Sequence, residues 1–274
     1  MAISVLTNVT SMLAQTNLGK ASEQLSDSMA RLSSGLRVRS AADDAAGLAI
    51  SEDFKAKIRG LDQAQRNAND GVSLAQTADG ALKEIGGMLN RMRELAVQSS
   101  TGTVNTTQRG YIQDEFVQLR SEIDRLAVTT EYNGIDLISG ASAGGITFQV
   151  GSGNSANDQL TLSLLSTSSA ALSVSGDSVS TSAAALSAIS ALDNAIGAIS
   201  SRRGTIGAMT NRLSVTMSNL ETYSTNLSAA NSRIVDVDVA SETARLTKQQ
   251  ILVQAGASML AQANQGPQIA LALL

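Results

Sequence analysis

Asp43 and Asp44 are adjacent carboxylates, close enough in the chain to suggest chemistry. Such a pair can share a proton as an acid/base dyad or hold a hard cation. Their setting favours a structural role. Ser40, three residues before Asp43, resembles the start of a capping box, with Asp where Glu is usual. Acidic residues at a helix start also match the positive end of the macrodipole. The 274 residues contain no His and no Cys. That excludes disulfides, zinc sites of the usual Cys/His kinds, His-based metalloprotease motifs and any Ser-His or Cys-His nucleophile. No catalytic residue, cofactor or metal is expected, and the chain does not read as an enzyme.

Charge is distributed unevenly. All 20 basic and 24 acidic residues lie between Lys20 and Lys248, so residues 1–19 and 249–274 carry none. Both ends have apolar residues at helical spacing: Leu6, Val9 and Leu13 at one, Leu252, Ala255, Met259 and Ala263 at the other. Neither reads as a membrane span or a cleavable signal. Residues 1–19 lack a basic start and a continuous apolar run, and 249–274 hold seven amides and a proline. A monomer's surface helix normally shows water a charged face. Amphipathic, charge-free ends make sense if many copies bury them against one another. A net charge of −4, 2% aromatic residues and no basic tract give no support for nucleic-acid binding.

The elements that position these ends are long helices. Pro267 is the one proline, so nothing of that kind interrupts residues 1–266. Few aromatics and many Ala, Leu, Ile, Val and Met suit helix-on-helix seams. Leu18, Leu25 and Leu32, with Met29 and Leu36 between and after them, form a heptad seam that Gly35 interrupts. A helix is predicted over about 42–100, with Ile50, Phe54, Ile58 and Leu61 on its first stripe. Another follows over about 106–129. Asn133-Gly134 is a turn signal. Ile146, Phe148 and Val150 alternate, as do Leu160, Leu162 and Leu164, across a Gly/Ser loop, which predicts a β-hairpin. Residues 166–185 are Ser/Ala-rich, weakly patterned and expected to be exposed. From Ile189 to Leu227, steps of three and four run for more than five heptads, predicting a coiled coil. Arg203, Thr210 and Ser224 break that seam. They either fix register or face other surfaces.

Two sets of motifs carry a resemblance. Arg31-Leu32-Ser33-Ser34-Gly35-Leu36-Arg37 leads into Ala41-Ala42-Asp43-Asp44-Ala45-Ala46-Gly47-Leu48-Ala49-Ile50, followed by Asn67-Ala68-Asn69-Asp70-Gly71 and Arg91-Met92-Arg93-Glu94-Leu95-Ala96-Val97-Gln98. Near the other end stand Ser232-Arg233-Ile234-Val235-Asp236-Val237-Asp238 and Leu260-Ala261-Gln262-Ala263-Asn264-Gln265. With these the chain resembles bacterial flagellin over nearly its whole length. The family commonly ends in Leu-Leu-Arg, whereas this chain stops at Leu273-Leu274.

The resemblance implies a mainly α fold: a long antiparallel coiled-coil bundle with N- and C-terminal helices paired, plus a small β-hairpin region. Residues 1–42 and 235–274 would form an inner filament-core domain, and 43–234 an outer bundle. Too little chain lies between the halves for large outer domains. It implies a structural, non-enzymatic subunit of the extracellular flagellar filament, exported by the type III apparatus. The terminal assembly positions would be Leu6, Val9, Leu13, Leu18, Leu25, Leu32, Leu252, Met259 and Leu260, disordered in the free monomer and folding on assembly. Implied partners are further copies of the chain, flagellar cap and hook-junction proteins, and a cytoplasmic export chaperone. A Toll-like innate receptor joins them, the positions matching its recognition set being Arg91, Leu95 and Glu115. The alternatives are a hook–filament junction protein, which shares the terminal helices, and a membrane-inserting translocator. The central motifs count against the first. The amide-rich ends and heptad seams count against the second.

Overall fold

The computed structural model describes the backbone of residues 7–272 and the side chains of residues 7–265. Leu6 and the Leu273-Leu274 end lie outside the described residues. The order of elements is α1 (Val9–Ser34), α2 (Ala45–Ser100), α3 (Thr106–Thr129), β1 (Glu131–Tyr132), β2 (Ile135–Asp136), β3 (Ile146–Gln149), β4 (Gln159–Leu162), α4 (Ser182–Val235) and α5 (Val239–Ala272). At 1.5 Å per residue α2 is ~84 Å long. The chain folds as two compact units. The first comprises residues up to Ala56 and from Asn226 onward; the second is Lys57–Thr225. The described residues of the expected inner segments 1–42 and 235–274 lie in the first unit, whose limits reach further into α2 and α4.

Each helix start has a side chain to satisfy its free N–H groups. Asn8 accepts from Ser11 N at 3.1 Å. Asn105 and Gln108 close a reciprocal capping box on α3. Thr181 Oγ1 accepts from Ala184 N, and Asp238 Oδ1 from Ala240 N and Ser241 N.

The start of α2 differs from the predicted one. Asp43 Oδ2 accepts from the backbone N–H groups of Arg39 and Ser40 and from Ser40 Oγ, which closes a turn ahead of the helix. The cap is Asp44, whose Oδ1 accepts from Gly47 N at 2.9 Å. A Cβ at Gly47 would lie 2.4 Å from the Asp44 carboxylate, so a larger residue there would displace the capping side chain. The two carboxylates therefore serve two neighbouring backbone turns. The donors around Asp43, with Arg31 beside it, hold its carboxyl below the usual range.

In the second unit α2, α3 and α4 share one core. On α4, Ala185, Leu192, Ile199, Ile206 and Leu213 are buried at intervals of seven, and Ile189, Ile196, Arg203, Thr210, Met217 and Ser224 flank them half-buried. This helix contains a stretch of mean hydropathy 1.3, long and apolar enough by composition to cross a bilayer. Here that apolar character lies in the heptad seam. The polar seam positions have separate partners. Arg203 Nε donates to Asp79 Oδ1 at 2.8 Å, Ser224 Oγ meets Asp62 Oδ1 at 3.5 Å, and Thr210 Oγ1 donates to Ile206 O of its own helix. Phe116, at the centre of α3, is fully buried.

The hairpin forms as predicted, with Ile146 opposite Leu162 and Phe148 opposite Leu160. Asn133 and Gly134 turn β1 into β2 with φ of 51° and 75°, the paired left-handed values of a tight hairpin turn.

Residues 166–185 correct the expectation of exposure. Thr167, Ser169, Leu172, Val174, Val179 and Ala185 are buried. Up to Thr181 the segment is a strap laid over α3, and it has no period because it is neither helix nor strand. Its hydroxyls and backbone are held by polar side chains. Asp124 accepts from Ser169 N and Oγ, both at 2.7 Å; Arg120 donates to the carbonyls of Ser175 and Asp177; Gln113 accepts from Val179 N and Ser178 Oγ. Gln113, Arg120 and Asp124 are seven and four apart, hence on one face of α3.

Candidate assembly surfaces

The first unit is built on α1 and α5, which run antiparallel. Asn8 Nδ2 donates to Ala263 O at 2.9 Å, Ser11 Oγ to Asn264 Oδ1 at 2.7 Å, and Leu18 packs on Gly256, where a Cβ would come within 3.3 Å of its Cδ1. At the far end the two sequence motifs of the resemblance meet. Gly35 takes φ 72° and ends α1, and its carbonyl accepts from Val237 N at 3.0 Å. Leu36 bridges Asp236, while Arg37 donates from its backbone to Val235 O and from its side chain to Ile234 O, both at 2.6 Å. The α1–α2 corner is thus stitched to the α4–α5 corner by backbone.

Side-chain charges hold the same corner. Arg31 pairs with Asp27 at 3.0 Å and Asp43 at 3.3 Å, and Arg39 pairs with Asp27. Glu242 is buried on the inward side of α5, 3.6 Å from Arg245.

The structure divides the predicted terminal residues into two sets. Leu18, Leu25 and Leu32 of α1 and Leu260 of α5 are half-buried in the seam between the helices. Val9, Leu13, Leu252 and Met259 are exposed. Leu6 lies outside the described residues. The inward residues of α5 are Leu246, Val253 and Leu260, with Gln249, Gly256 and Ala263 between them. Of the stripe read from the sequence, Leu252, Ala255 and Met259 are exposed, whereas Ala263 falls on the half-buried side. Spacing could not separate the two, because α5 is apolar on both faces and carries no charge beyond Lys248 to mark an outer side. Ile251 and Met12 are further exposed apolar residues that the sequence stripes omitted, and Met29, which the spacing put in the α1 seam, is exposed as well. A groove of about 640 Å³ opens between α1 and α5, lined by Leu13, Leu18, Leu252, Gly256 and Met259 among others.

In the second unit Arg91 and Glu115 come together. Arg91 Nε donates to Glu115 Oε1 at 2.8 Å and its Nη1 to Glu94 Oε2 at 3.0 Å, all three side chains being exposed. Leu95 does not join them: it is 1% exposed, inside the core. A four-residue step turns the second side chain ~40° from the first, and the edge of the core falls between the two. Among the described residues no cluster of acidic side chains could hold a metal ion.

Comparison with known proteins agrees with this architecture. A family model described as bacterial flagellin N-terminal helical region matches residues 5–143, and one described as bacterial flagellin C-terminal helical region matches 189–274. A flagellin of Halalkalibacterium halodurans is 46% identical over 267 residues, covering 97% of this chain and 98% of the relative. The flagellar filament 33 kDa core protein of Treponema phagedenis is 42% identical over 97% of this chain and 98% of its own. Among solved structures, the crystal structure of Bacillus cereus flagellin is 34% identical, with a TM-score of 0.52 over 61% of this chain and 94% of that one.

Proposed function

The chain belongs to the bacterial flagellin family, and from that premise we propose that the outward apolar faces of α1 and α5 are the surfaces by which successive copies pack. The protein is a structural, non-enzymatic subunit that polymerises into the extracellular flagellar filament. The observation that carries the proposal is the second apolar face. Pairing α1 with α5 leaves Val9, Leu13, Ile251, Leu252 and Met259 exposed on segments with no charge to solvate them. Burial against other copies removes that surface from water at ~25 cal/mol per Å². Contacts that do not close into a ring generate an open helix.

Leu252→Glu tests this against Leu246→Ala. The first should leave the subunit's circular dichroism unchanged and abolish growth on filament seeds, since a carboxylate enters an apolar contact. The second should loosen the α1–α5 pair itself. Normal growth of the Leu252→Glu subunit would refute the assignment of that face.

The same faces suit the other partners that the family implies. Cap and hook-junction proteins would meet them at the filament's two ends. A cytoplasmic export chaperone would cover the outward stripe of α5 before type III secretion. For a Toll-like innate receptor, the exposed Arg91–Glu115 pair offers a contact, with Leu95 acting from beneath by fixing the α2–α3 spacing. Arg91→Ala should then abolish receptor activation without lowering the melting temperature, whereas Leu95→Ala should lower both.

A further inference from the structure

The methionines are partitioned between the two units. Met12, Met29 and Met259 are 60%, 55% and 66% exposed, and all three lie on α1 or α5. Met88, Met92, Met209 and Met217 of the second unit are buried or half-buried against its core. The register set by Asn8 with Ala263 places Met12 and Met259 at one level of the helix pair, and both are exposed. Methionine suits a surface that must adapt to a neighbour, because its thioether is flexible and polarisable. It is also the group in this chain that a peroxide attacks, since no Cys is present.

We propose that Met12, Met29 and Met259 are oxidation sites that gate assembly: open to peroxide in the free subunit, closed to it in the filament, and incompatible with packing once oxidised. The inference rests on the packing proposed for α1 and α5. The sulfur lone pair attacks one oxygen of hydrogen peroxide, the O–O bond breaks, and the other oxygen leaves as water after proton transfer. The thioether loses two electrons and the peroxide gains them. The product sulfoxide is polar and chiral. Buried between apolar faces without a donor, it opposes the contact that the thioether favoured. A subunit oxidised before it joins would then fail to pack, whereas a subunit already in the filament would be shielded.

The test treats native monomer and intact filaments with hydrogen peroxide. Peptide mass spectrometry locates the added oxygen, and electron microscopy or light scattering follows monomer growth on untreated seeds. Expected in the monomer is oxidation at Met12, Met29 and Met259 ahead of Met92 and Met209. Elongation should fall ~10-fold or more, as follows from burying unpaired polar groups, and methionine sulfoxide reductase should restore it. The same three residues should resist oxidation in filaments. The variant carrying Met12→Leu, Met29→Leu and Met259→Leu together keeps side-chain volume, and whatever its own elongation rate, peroxide treatment should not lower that rate. Undiminished elongation by fully oxidised monomer overturns the proposal, as does equal oxidation in filament and monomer. So does peroxide sensitivity retained by the triple variant. If untreated monomer fails to grow on seeds at all, the packing of α1 and α5 is what fails.

Discussion

Arg203 of α4 donates to Asp79 of α2 at 2.8 Å from a heptad position otherwise held by apolar or hydroxyl side chains. The pair joins one level of α4 to one level of α2, along a seam whose buried residues on α4 recur every seven residues. Its side chains are 41% and 38% exposed, so solvent screens the attraction. Arg203→Ala and Asp79→Asn should each cost at most ~1 kcal/mol in urea unfolding, and a double-mutant cycle should return a coupling of ~0.2–1 kcal/mol that declines with salt. A larger coupling would mean that the pair acts through something other than a solvated contact.

Two aromatic residues of α3 should behave oppositely. Phe116 is fully buried and Tyr111 is exposed. Phe116→Ala leaves a cavity in a core with few rings to refill it and should cost ~3–5 kcal/mol. Tyr111→Ala should change stability by no more than ~0.5 kcal/mol. Thermal unfolding of the two variants checks both.

Asp177 introduces a pH dependence through the strap. Its Oδ2 is buried and finds no hydrogen-bond donor, because Arg120 donates to the carbonyls of Ser175 and Asp177 instead. Burial raises its pKa above the ordinary 3.8, and the charge of Arg120 offsets part of that rise. A carboxyl raised in the folded state favours folding while protonated. That contribution is complete below the unfolded pKa and is lost as pH climbs through the folded one. Asp177→Asn should therefore raise the melting temperature at neutral pH, and the gain should vanish below about pH 3.8. A gain that persists in acid would place the cause elsewhere.

Where packing sets one period, the sequence shows it. Leu192, Ile199, Ile206 and Leu213 recur at sevens because one face of α4 meets a core, and the alternation at Ile146 and Phe148 shows a strand with one covered face. The strap at 166–181 has no repeat to find, since its burial depends on Gln113, Arg120 and Asp124 reaching it from another element. The outward face of α5 was visible as apolar spacing, but its direction was not. Leu246 and Leu252 differ in what lies opposite them, and that information belongs to α1. The meeting of Gly35 with Val237 was likewise hidden, although the motifs containing both residues were conspicuous. Backbone pairing across some two hundred residues leaves no side-chain pattern.

The terminal helices bury little within a single subunit. In α1 the buried residues are Ala21 and Ser28, and in α5 the inward Leu246, Val253 and Leu260 are only half-buried. Each ordered residue costs ~1–2 kcal/mol of conformational entropy, against ~25 cal/mol for each Å² of apolar surface removed from water. Small and half-covered side chains supply little of that area, so the pair has scant margin in an isolated subunit. Hydrogen exchange on dilute monomer should show weak protection of the α1 and α5 amides. The amides of α2, α3 and α4 facing the second unit's core should exchange only through global unfolding. In filaments α1 and α5 should gain protection, because the neighbouring copies cover Val9, Leu13, Leu252 and Met259. Strong protection of α1 in dilute monomer would show that the helix pair is stable alone, and that assembly joins preformed helices rather than completing their folding.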